Sequence, residues 1–488
     1  MSLKSVLQTL VFAAVTLLSW HVMASEAVQT EQQPLPNIVL IFIDDMGYAD
    51  IGPFGGEIPT PHLDLLAKEG RCFTNFCVSS GVCSASRSAL MTGCYHRRVG
   101  IEGALPPASP IGLDPSEETL AEICKQKGYA TACFGKWHLG RPEIFLPTNQ
   151  GFDEYFGLPY SNDMWPHHPE YHNFPALPLL EGTSIEGTRV VNPDVDDATQ
   201  NQLTTLYTEQ AVRFIEKNRE RPFFLYMPHT MVHVPLHVSD KFAGKSPQGL
   251  FGDAVMEIDW SVGQILDTLR KNNLEKNTLV IFSSDNGPWL SYGDHAGSAK
   301  PLREGKLTSF EGGVREPTIF RFPGKIPAGT RCGELASTID ILPTVARLIG
   351  AKLPERKIDG KDIRPLMFGE PGAKSPHDAF AIYFNGQLQA VRDTKWKLVL
   401  PHDYPTLGGH PGGKNGIPVP YQNAHTELAL YDLDSDVSET TDVREKHPDI
   451  TARLQKAADE IQAELGSGNH FGPGVRLPRR AEPVTNNK

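Results

Sequence analysis

Apolar residues along this chain follow two alternating patterns. Asn37 to Asp45 (NIVLIFIDD) and Thr278 to Gly287 (TLVIFSSDNG) are short, β-branched and apolar on both faces, as central strands covered on both sides require. Arg221 to His229 (RPFFLYMPH) is a third such run. Between them the period becomes helical: Leu203, Tyr207, Ala211 and Phe214 share one face, and Val255, Ile258, Val262, Ile265 and Leu269 another. This alternation predicts an α/β domain with a large mixed, mostly parallel central sheet covered by helices. Past Gly372 the pattern changes to AFAIYF, LQAVRD, KWKLVL and LALYDL, then a helix from about Asp449 to Leu465. That predicts a smaller C-terminal domain with a four-stranded antiparallel sheet and a helix. Pro159 to Asn201, rich in Pro, His and aromatics, reads as a long insertion or loop of the kind that carries specificity. The Gly/Pro-rich tail from Gly466 reads as extended or loose.

The N-terminus adds a compartment. Lys4, an apolar run from Leu7 to Trp20, and then Val22 and Ala24 match a signal peptide of residues 1–24 with cleavage after Ala24. The run is too short for a spanning helix of ~20 residues, so no membrane span is expected after cleavage. The expected organisation is 1–24 signal peptide, 37–372 N-terminal catalytic domain and 373–488 C-terminal subdomain with an extended tail. The expected location is exported, periplasmic or secreted, where disulfides are permitted.

Charge and cysteine count narrow the chemistry. A net charge of -12 argues against nucleic acid as a partner. An anionic substrate would require positive charge gathered locally. The seven cysteines are Cys72, Cys77, Cys83, Cys94, Cys124, Cys133 and Cys332, and an odd number leaves at least one unpaired. Cys83 lies in a Ser-rich turn leading into an apparent helix, CSASRSALMTG.

Two predicted strands end in oxygen ligands, Asp44-Asp45 and Asp285-Asn286. Ligands of open α/β sheets bind beyond the carboxyl ends of strands. Three carboxylates converging there would repel one another unless a hard cation joined them, calcium ahead of magnesium. Lys136 and His138 stand two apart in GKWHLG, and MPHTMVHVPLH supplies His229, His233 and His237. Pro228 and Pro235 argue against one regular helix presenting all three histidines. Taken alone, Arg87 and Lys306 read as solvated cations.

Together these stretches resemble the type I formylglycine-dependent sulfatase family, within the alkaline phosphatase-like superfamily. CSASR with the downstream LMTG is similar to the signature whose cysteine becomes formylglycine. Ala85 stands where many members carry proline, an accepted variant. DD after the first strand, GKWHLG, HVP, SSDNG and GKLTSFEGGVREP resemble the other family blocks in order. FGDAVMEIDWSVGQIL is most like arylsulfatase A and related bacterial sulfatases.

The resemblance implies an alkaline phosphatase-like sandwich and hydrolysis of sulfate esters, carbohydrate or aryl, to an alcohol and inorganic sulfate. It implies formylglycine at Cys83, installed by a formylglycine-generating or anaerobic sulfatase-maturating enzyme. Six cysteines then remain, enough for up to three disulfides. Asp44, Asp45, Asp285 and Asn286, with position 83, would hold calcium. Arg87 and Lys136 would fix the formylglycine and neutralise sulfuryl oxygens, and Lys306 would contact sulfate. His138 would be the base that releases sulfate, and His233 the donor to the leaving oxygen. His295 could line the substrate pocket, as could Trp165, His167 and His168 as sugar contacts. The alternatives are a formylglycine-dependent phosphonate monoester or phosphodiester hydrolase of the same superfamily, and a non-catalytic calcium-stabilised binding protein.

Overall fold

The predicted strand Asn37 to Asp45 forms β1, Asn37–Ile43, and every side chain in it is buried. Its residues alternate between two apolar faces. Val39, Ile41 and Ile43 enter a core with Tyr207, Phe214, Val255, Ile258 and Val262 of the two predicted helices. Those helices run Leu203–Lys217 and Gly249–Lys271. A strand covered on both sides can be apolar throughout, which is why this one shows no polar alternation. The chain is seen as a computed structural model that describes residues 34–482. The expected signal peptide lies outside them. No helix among the described residues is long and apolar enough to cross a membrane.

In chain order the remaining strands of the sheet are β2 (Arg71–Phe73), β3 (Ala130–Phe134), β4 (Glu154–Gly157), β5 (Leu179–Thr183), β6 (Gly187–Asn192), β7 (Phe223–Pro228), β8 (Thr278–Ser284), β9 (Thr318–Arg321) and β10 (Thr330–Cys332). They lie side by side in the order β10-β2-β9-β8-β1-β7-β3-β4-β5-β6. The five strands β8, β1, β7, β3 and β4 run parallel, and antiparallel strands flank them on both sides. Register aligns the carboxyl ends: Ile43 stands opposite Ser284, and Phe42 opposite Pro228. Asp44-Asp45, Asp285-Asn286 and the histidine segment therefore leave the sheet along one edge, as the topology of such sheets favours.

Two expectations are amended. The insertion 159–201 is not all loop, since β5 and β6 lie within it and add two antiparallel strands to the sheet. The polar, largely exposed sequence of β6, GTRVVN, hides its strand character. The tail is also held. Arg479 and Arg480 pair antiparallel with Gly112 and Ile111, and Arg476 reaches Glu117 at 2.6 and 2.7 Å.

The four strands read after Gly372 are β11 (Phe380–Phe384), β12 (Gln387–Arg392), β13 (Trp396–Val399) and β16 (Ala429–Asp432), in one antiparallel sheet. Inserted between the last two is a hairpin, β14 (His402–Thr406) and β15 (Gln422–Thr426). A helix, Pro448–Leu465, covers the sheet through Leu454, Ala458 and Leu465. The same core takes in Ala89, Tyr95 and Phe310, so the C-terminal sheet backs onto the Cys83 helix. All seven cysteines are buried and unpaired.

Candidate active site

Cys83 opens a helix, Cys83–Thr92, in which every residue is buried. Polar side chains survive there because the backbone satisfies several of them: Ser88 Oγ donates to Ala85 O, Thr92 Oγ1 to Ser88 O, and Leu105 N donates to Ser84 Oγ. Arg87, one turn on, shares the face of Cys83. Its Nε and Nη2 reach Asp285 Oδ2 at 2.9 and 2.8 Å, and its Nη1 donates to Lys136 O at 3.1 Å.

The carboxylates stand where strand register delivers them. Asp44 Oδ2 accepts from Lys136 Nζ at 2.5 Å, and that ammonium also reaches Ser161 Oγ at 3.0 Å. Both oxygens of Asp45 accept from Lys306 Nζ, at 2.7 and 2.8 Å, and Asn286 Nδ2 donates to Asp45 Oδ1 at 2.7 Å. Asp45 N donates to Asp285 Oδ1 at 3.2 Å, tying one strand end to the other. Two glycines permit this closeness. A Cβ at Gly287 would lie 1.8 Å from Gly312 O, and Gly135, at φ +136°, would place one 1.9 Å from Pro228 O.

Three carboxylates thus face three cations, Arg87, Lys136 and Lys306. Burial opposes the charge on Asp44, but Lys136 and Arg87 hold it well below the usual carboxylate range. Asp285 is pushed up to about 7, first by burial and then by Asp44, against the pull of Arg87. Asp44 Oδ1 and Asn286 Oδ1 are buried without hydrogen-bond partners, and ligand atoms of Asp44, Asp45 and His233 lie within 4.8 Å of one another. Buried oxygen donors with idle lone pairs fit a hard divalent cation.

The Cys83 thiol is raised by burial, with Lys136 and Lys306 acting against the rise and Asp44 and Asp285 adding to it. The sequence-predicted residues of the cluster therefore share one electrostatic site. His138 joins it with a defined tautomer: its Nε2 lies 3.0 Å from Leu105 O and must donate there, which leaves buried Nδ1 bare. Burial, Lys136 and Arg87 hold its pKa far down, so the ring is neutral. His233 is the mirror case. Its Nδ1 donates to Val234 O at 2.5 Å, which leaves Nε2 turned toward Asp45 Oδ2, 3.6 Å away.

Other expected positions lie outside the cluster. His229 is core, with Nε2 3.3 Å from Ser261 Oγ, and His237 Nδ1 meets Asn201 Oδ1 at 3.0 Å. The 229–237 segment is not helical, as its prolines require. Trp165 is buried with its ring against His167 and His237, and His168 Nδ1 accepts from Glu170 N and Tyr171 N. His295 is half-buried at the end of the turn Leu290–His295, beside Gly416. Two residues of the cluster escaped the sequence reading. Ser161 has no spacing signal. Trp289 stands two residues after Gly287, with Lys306 Nζ 4.5 Å from its ring centroid and the His233 ring at 5.6 Å.

Residues 36–351 match the family described as Sulfatase, and residues 375–474 match the C-terminal region of aryl-sulfatase. The chain is 37% identical over 478 residues to arylsulfatase A of Homo sapiens, covering 92% of each. Among solved structures, the PsFucS1 sulfatase from Pseudoalteromonas sp. aligns with a TM-score of 0.80 at 26% identity, over 91% of this chain and 93% of that one. Ps i-CgsB in complex with k-i-k-neocarrahexaose aligns with a TM-score of 0.73 at 27% identity, over 92% and 96%. With a family match over most of its length, and with strand-end acids and cations gathered around Cys83, the chain belongs to the sulfatase family and is a sulfuric ester hydrolase.

Proposed function

We propose that the chain is a formylglycine-dependent sulfatase that uses calcium to release sulfate from carbohydrate sulfates, with aryl sulfates as simpler substrates. The observation that carries this reading is the convergence of Lys136, Lys306, Asp44 and Asp285 on Cys83 at the head of a buried helix. Asp44, Asp45, Asp285 and Asn286 would hold the cation. When present, the cation and an aldehyde hydrate at position 83 supply Lewis-acid polarisation and a nucleophile with two hydroxyls on one carbon.

The chain's own groups do the rest. Three carboxylates and three cations balance, so a divalent cation leaves a net positive site suited to a sulfate monoester anion. Lys136 and Lys306 are fixed donors for sulfuryl oxygens, preorganised by Asp44 and Asp45. Arg87, clamped by Asp285, holds the helix of position 83 against the strand end. His138 Nδ1, bare and neutral, accepts a proton, and His233 Nε2 donates one to the departing oxygen. The carbohydrate preference is supported by the saccharide complex of Ps i-CgsB. The reading includes export to the periplasm or outside, a catalytic part over 37–372, and maturation by a formylglycine-generating or anaerobic sulfatase-maturating enzyme.

The test is intact-mass and peptide mass spectrometry of position 83 in the active protein, together with its calcium content. An aldehyde at that position and stoichiometric calcium are expected. Full turnover by protein retaining an unmodified thiol would sink the proposal. Greater turnover of a matched phosphate ester than of the sulfate would move it to the phosphohydrolase alternative.

A further inference from the structure

Residues 476–481 lie past Gly474, where the match to the aryl-sulfatase C-terminal region ends, and they run back along residues 98–112. Arg476 N donates to Arg98 O at 2.7 Å, and Ala481 N donates to Pro110 O at 2.8 Å. Between these ends, Pro478 packs so close to Gly100 that a Cβ there would lie 2.4 Å from its Cδ, and Arg479 and Arg480 pair antiparallel with Gly112 and Ile111. The Arg476 side chain locks the near end. Its Nε and Nη2 reach the buried carboxylate of Glu117 at 2.6 and 2.7 Å, and its Nη1 donates to Lys357 O at 3.0 Å.

The segment clamped in this way is the one that holds His138. Leu105 O takes the proton of His138 Nε2 at 3.0 Å, while Leu105 N donates to Ser84 Oγ, the neighbour of position 83. Leu113 N donates to Leu139 O at 2.8 Å, and a Cβ on Gly140 would lie 2.8 Å from Gly112 Cα. His138 sits at φ +58°, a conformation that a residue with a side chain keeps only where its surroundings impose it. Its ring is fixed from the same side, since Nε2 committed to Leu105 O leaves Nδ1 as the acceptor. Residues 101–113 have little regular structure of their own. Only Ile111 and Gly112 are in a strand, and the partner of that strand is the tail.

We infer that residues 476–481 are a positioning strap for the catalytic base: by pinning residues 98–112 they fix the tautomer of His138 and its place relative to position 83. The inference rests on the reading of His138 as the base that releases sulfate. In that step His138 Nδ1 takes the proton of the hydroxyl left on the carbon of position 83; the O–H electron pair closes the carbonyl, and the C–O bond to sulfate breaks with its electrons leaving on sulfate. The earlier attack on sulfur does not call on His138. Loosening the strap therefore slows the second half of turnover and spares the first.

Two variants test this, a chain ending at Val475 and full-length Arg476→Met, with rates expressed per aldehyde at position 83 by peptide mass spectrometry. Neither strands a buried charge at the strap, because Glu117 keeps Arg356 at 2.9 Å and Arg98 keeps Asp359 at 2.6 and 2.7 Å. With 4-nitrophenyl sulfate, kcat should fall about tenfold or more in the shortened chain and about threefold in Arg476→Met. KM should fall in parallel, so that kcat/KM, which ends at the first irreversible step, stays within about twofold. A burst of about one nitrophenolate per aldehyde should precede the slow phase, with sulfate retained at position 83 in intact-protein mass spectra. If the shortened chain does not fold, Arg476→Met alone decides. Equal losses in kcat and kcat/KM without a burst would make the tail a structural element only, and an unchanged kcat would detach it from the base; either result overturns the inference and leaves the sulfatase reading standing. An active full-length chain with no aldehyde at position 83 would remove the formylglycine reading and this inference with it.

Discussion

Charged side chains are buried in two places in this protein, at the carboxyl edge of the large sheet and behind the C-terminal sheet. In the second, Arg392 reaches Glu311 at 2.5 Å and Asn75 at 2.6 Å. Lys397 meets Glu311 at 3.0 Å, Glu439 at 2.8 Å and Ser309 O at 2.7 Å, while Glu311 N donates to Glu439 at 2.7 Å. All four charged residues are at most 1% exposed, and those at the sheet edge at most 3%. Charge balances in both, two against two and three against three. Protonation is alike in the two: each set holds one carboxylate below the usual range through its cations, Glu311 and Asp44, and raises another chiefly by burial, Glu439 and Asp285. The difference lies in what is left over. At the sheet edge Asp44 Oδ1, Asn286 Oδ1 and His138 Nδ1 accept no hydrogen bond, and Asp44 Oδ1 comes no nearer to Arg87 Nη2 than 3.5 Å; in the C-terminal set Glu439 Oε1, also without one, is paired with Lys397 at 2.8 Å. One set is closed and structural. The other is kept incomplete, and its unfilled valences face the position where chemistry is expected.

That contrast can be broken by experiment, and the largest effect should come from Cys83→Ser. One hydroxyl can attack sulfur, but no second hydroxyl on the same carbon can then expel sulfate. Steady turnover should drop by about 10⁴-fold or more, with a sulfate ester accumulating on the serine in intact-protein mass spectra and melting unchanged. Sustained turnover without an adduct would mean that the sheet-edge cluster works by direct attack of water.

His233→Ala should separate substrates. Loss of a general acid costs roughly 10²- to 10⁴-fold on sugar sulfates, whose leaving oxygen needs a proton, and far less on 4-nitrophenyl sulfate. A uniform loss would reassign His233 to positioning.

Arg392→Met tests the closed cluster. It leaves two buried carboxylates, Glu311 and Glu439, to share Lys397 and should destabilise by about 3–5 kcal/mol in denaturant titrations, while the folded fraction keeps its specific activity. A variant with normal stability and impaired kcat would erase the distinction between the two clusters.

The smallest effect is expected from Ser161→Ala. It removes one hydrogen bond to the Lys136 ammonium, worth about 1 kcal/mol, and should reduce kcat/KM several-fold with little change in melting. An effect as large as that of Cys83→Ser would place Ser161 among the reacting groups.

Much of the sheet-edge cluster was legible in the chain because each member sits at the end of a strongly apolar strand or in a short block of unusual composition. Asp44-Asp45 and Asp285-Asn286 are of the first kind, and Lys136 with His138 of the second. The closed cluster was not legible. Glu311, Arg392, Lys397 and Glu439 are brought together by sheet packing across more than a hundred positions, and nothing local distinguishes them from solvated charges. Ser161 escaped for the same reason. The β14–β15 hairpin, HDYPT with QNAHT, escaped because its residues are polar and half-exposed and include Pro405, so no apolar alternation marks its strands, although the stretch between them, LGGHPGGKNGIP, is rich in turn residues. Core strands announce themselves by what they bury; edge hairpins and buried ion pairs depend on neighbours far along the chain.

The Cys83 helix also has a consequence in time. Its rear is closed by residues made much later: Tyr95 Oη accepts from Ala381 N at 3.0 Å, Arg97 holds Leu465 O at 3.1 Å, and Arg98 holds Gly474 O at 3.0 Å. A ribosome adding ~5–20 residues per second needs roughly 20–80 s to travel from Cys83 to Gly474. Throughout that interval the helix lacks its back wall, and the thiol that ends 2% exposed is still open to another protein. Once the tail docks, the segment around position 83 is no longer free to adapt to another protein, so a maturating enzyme would have to act on it while the chain is still being made or before it finishes folding.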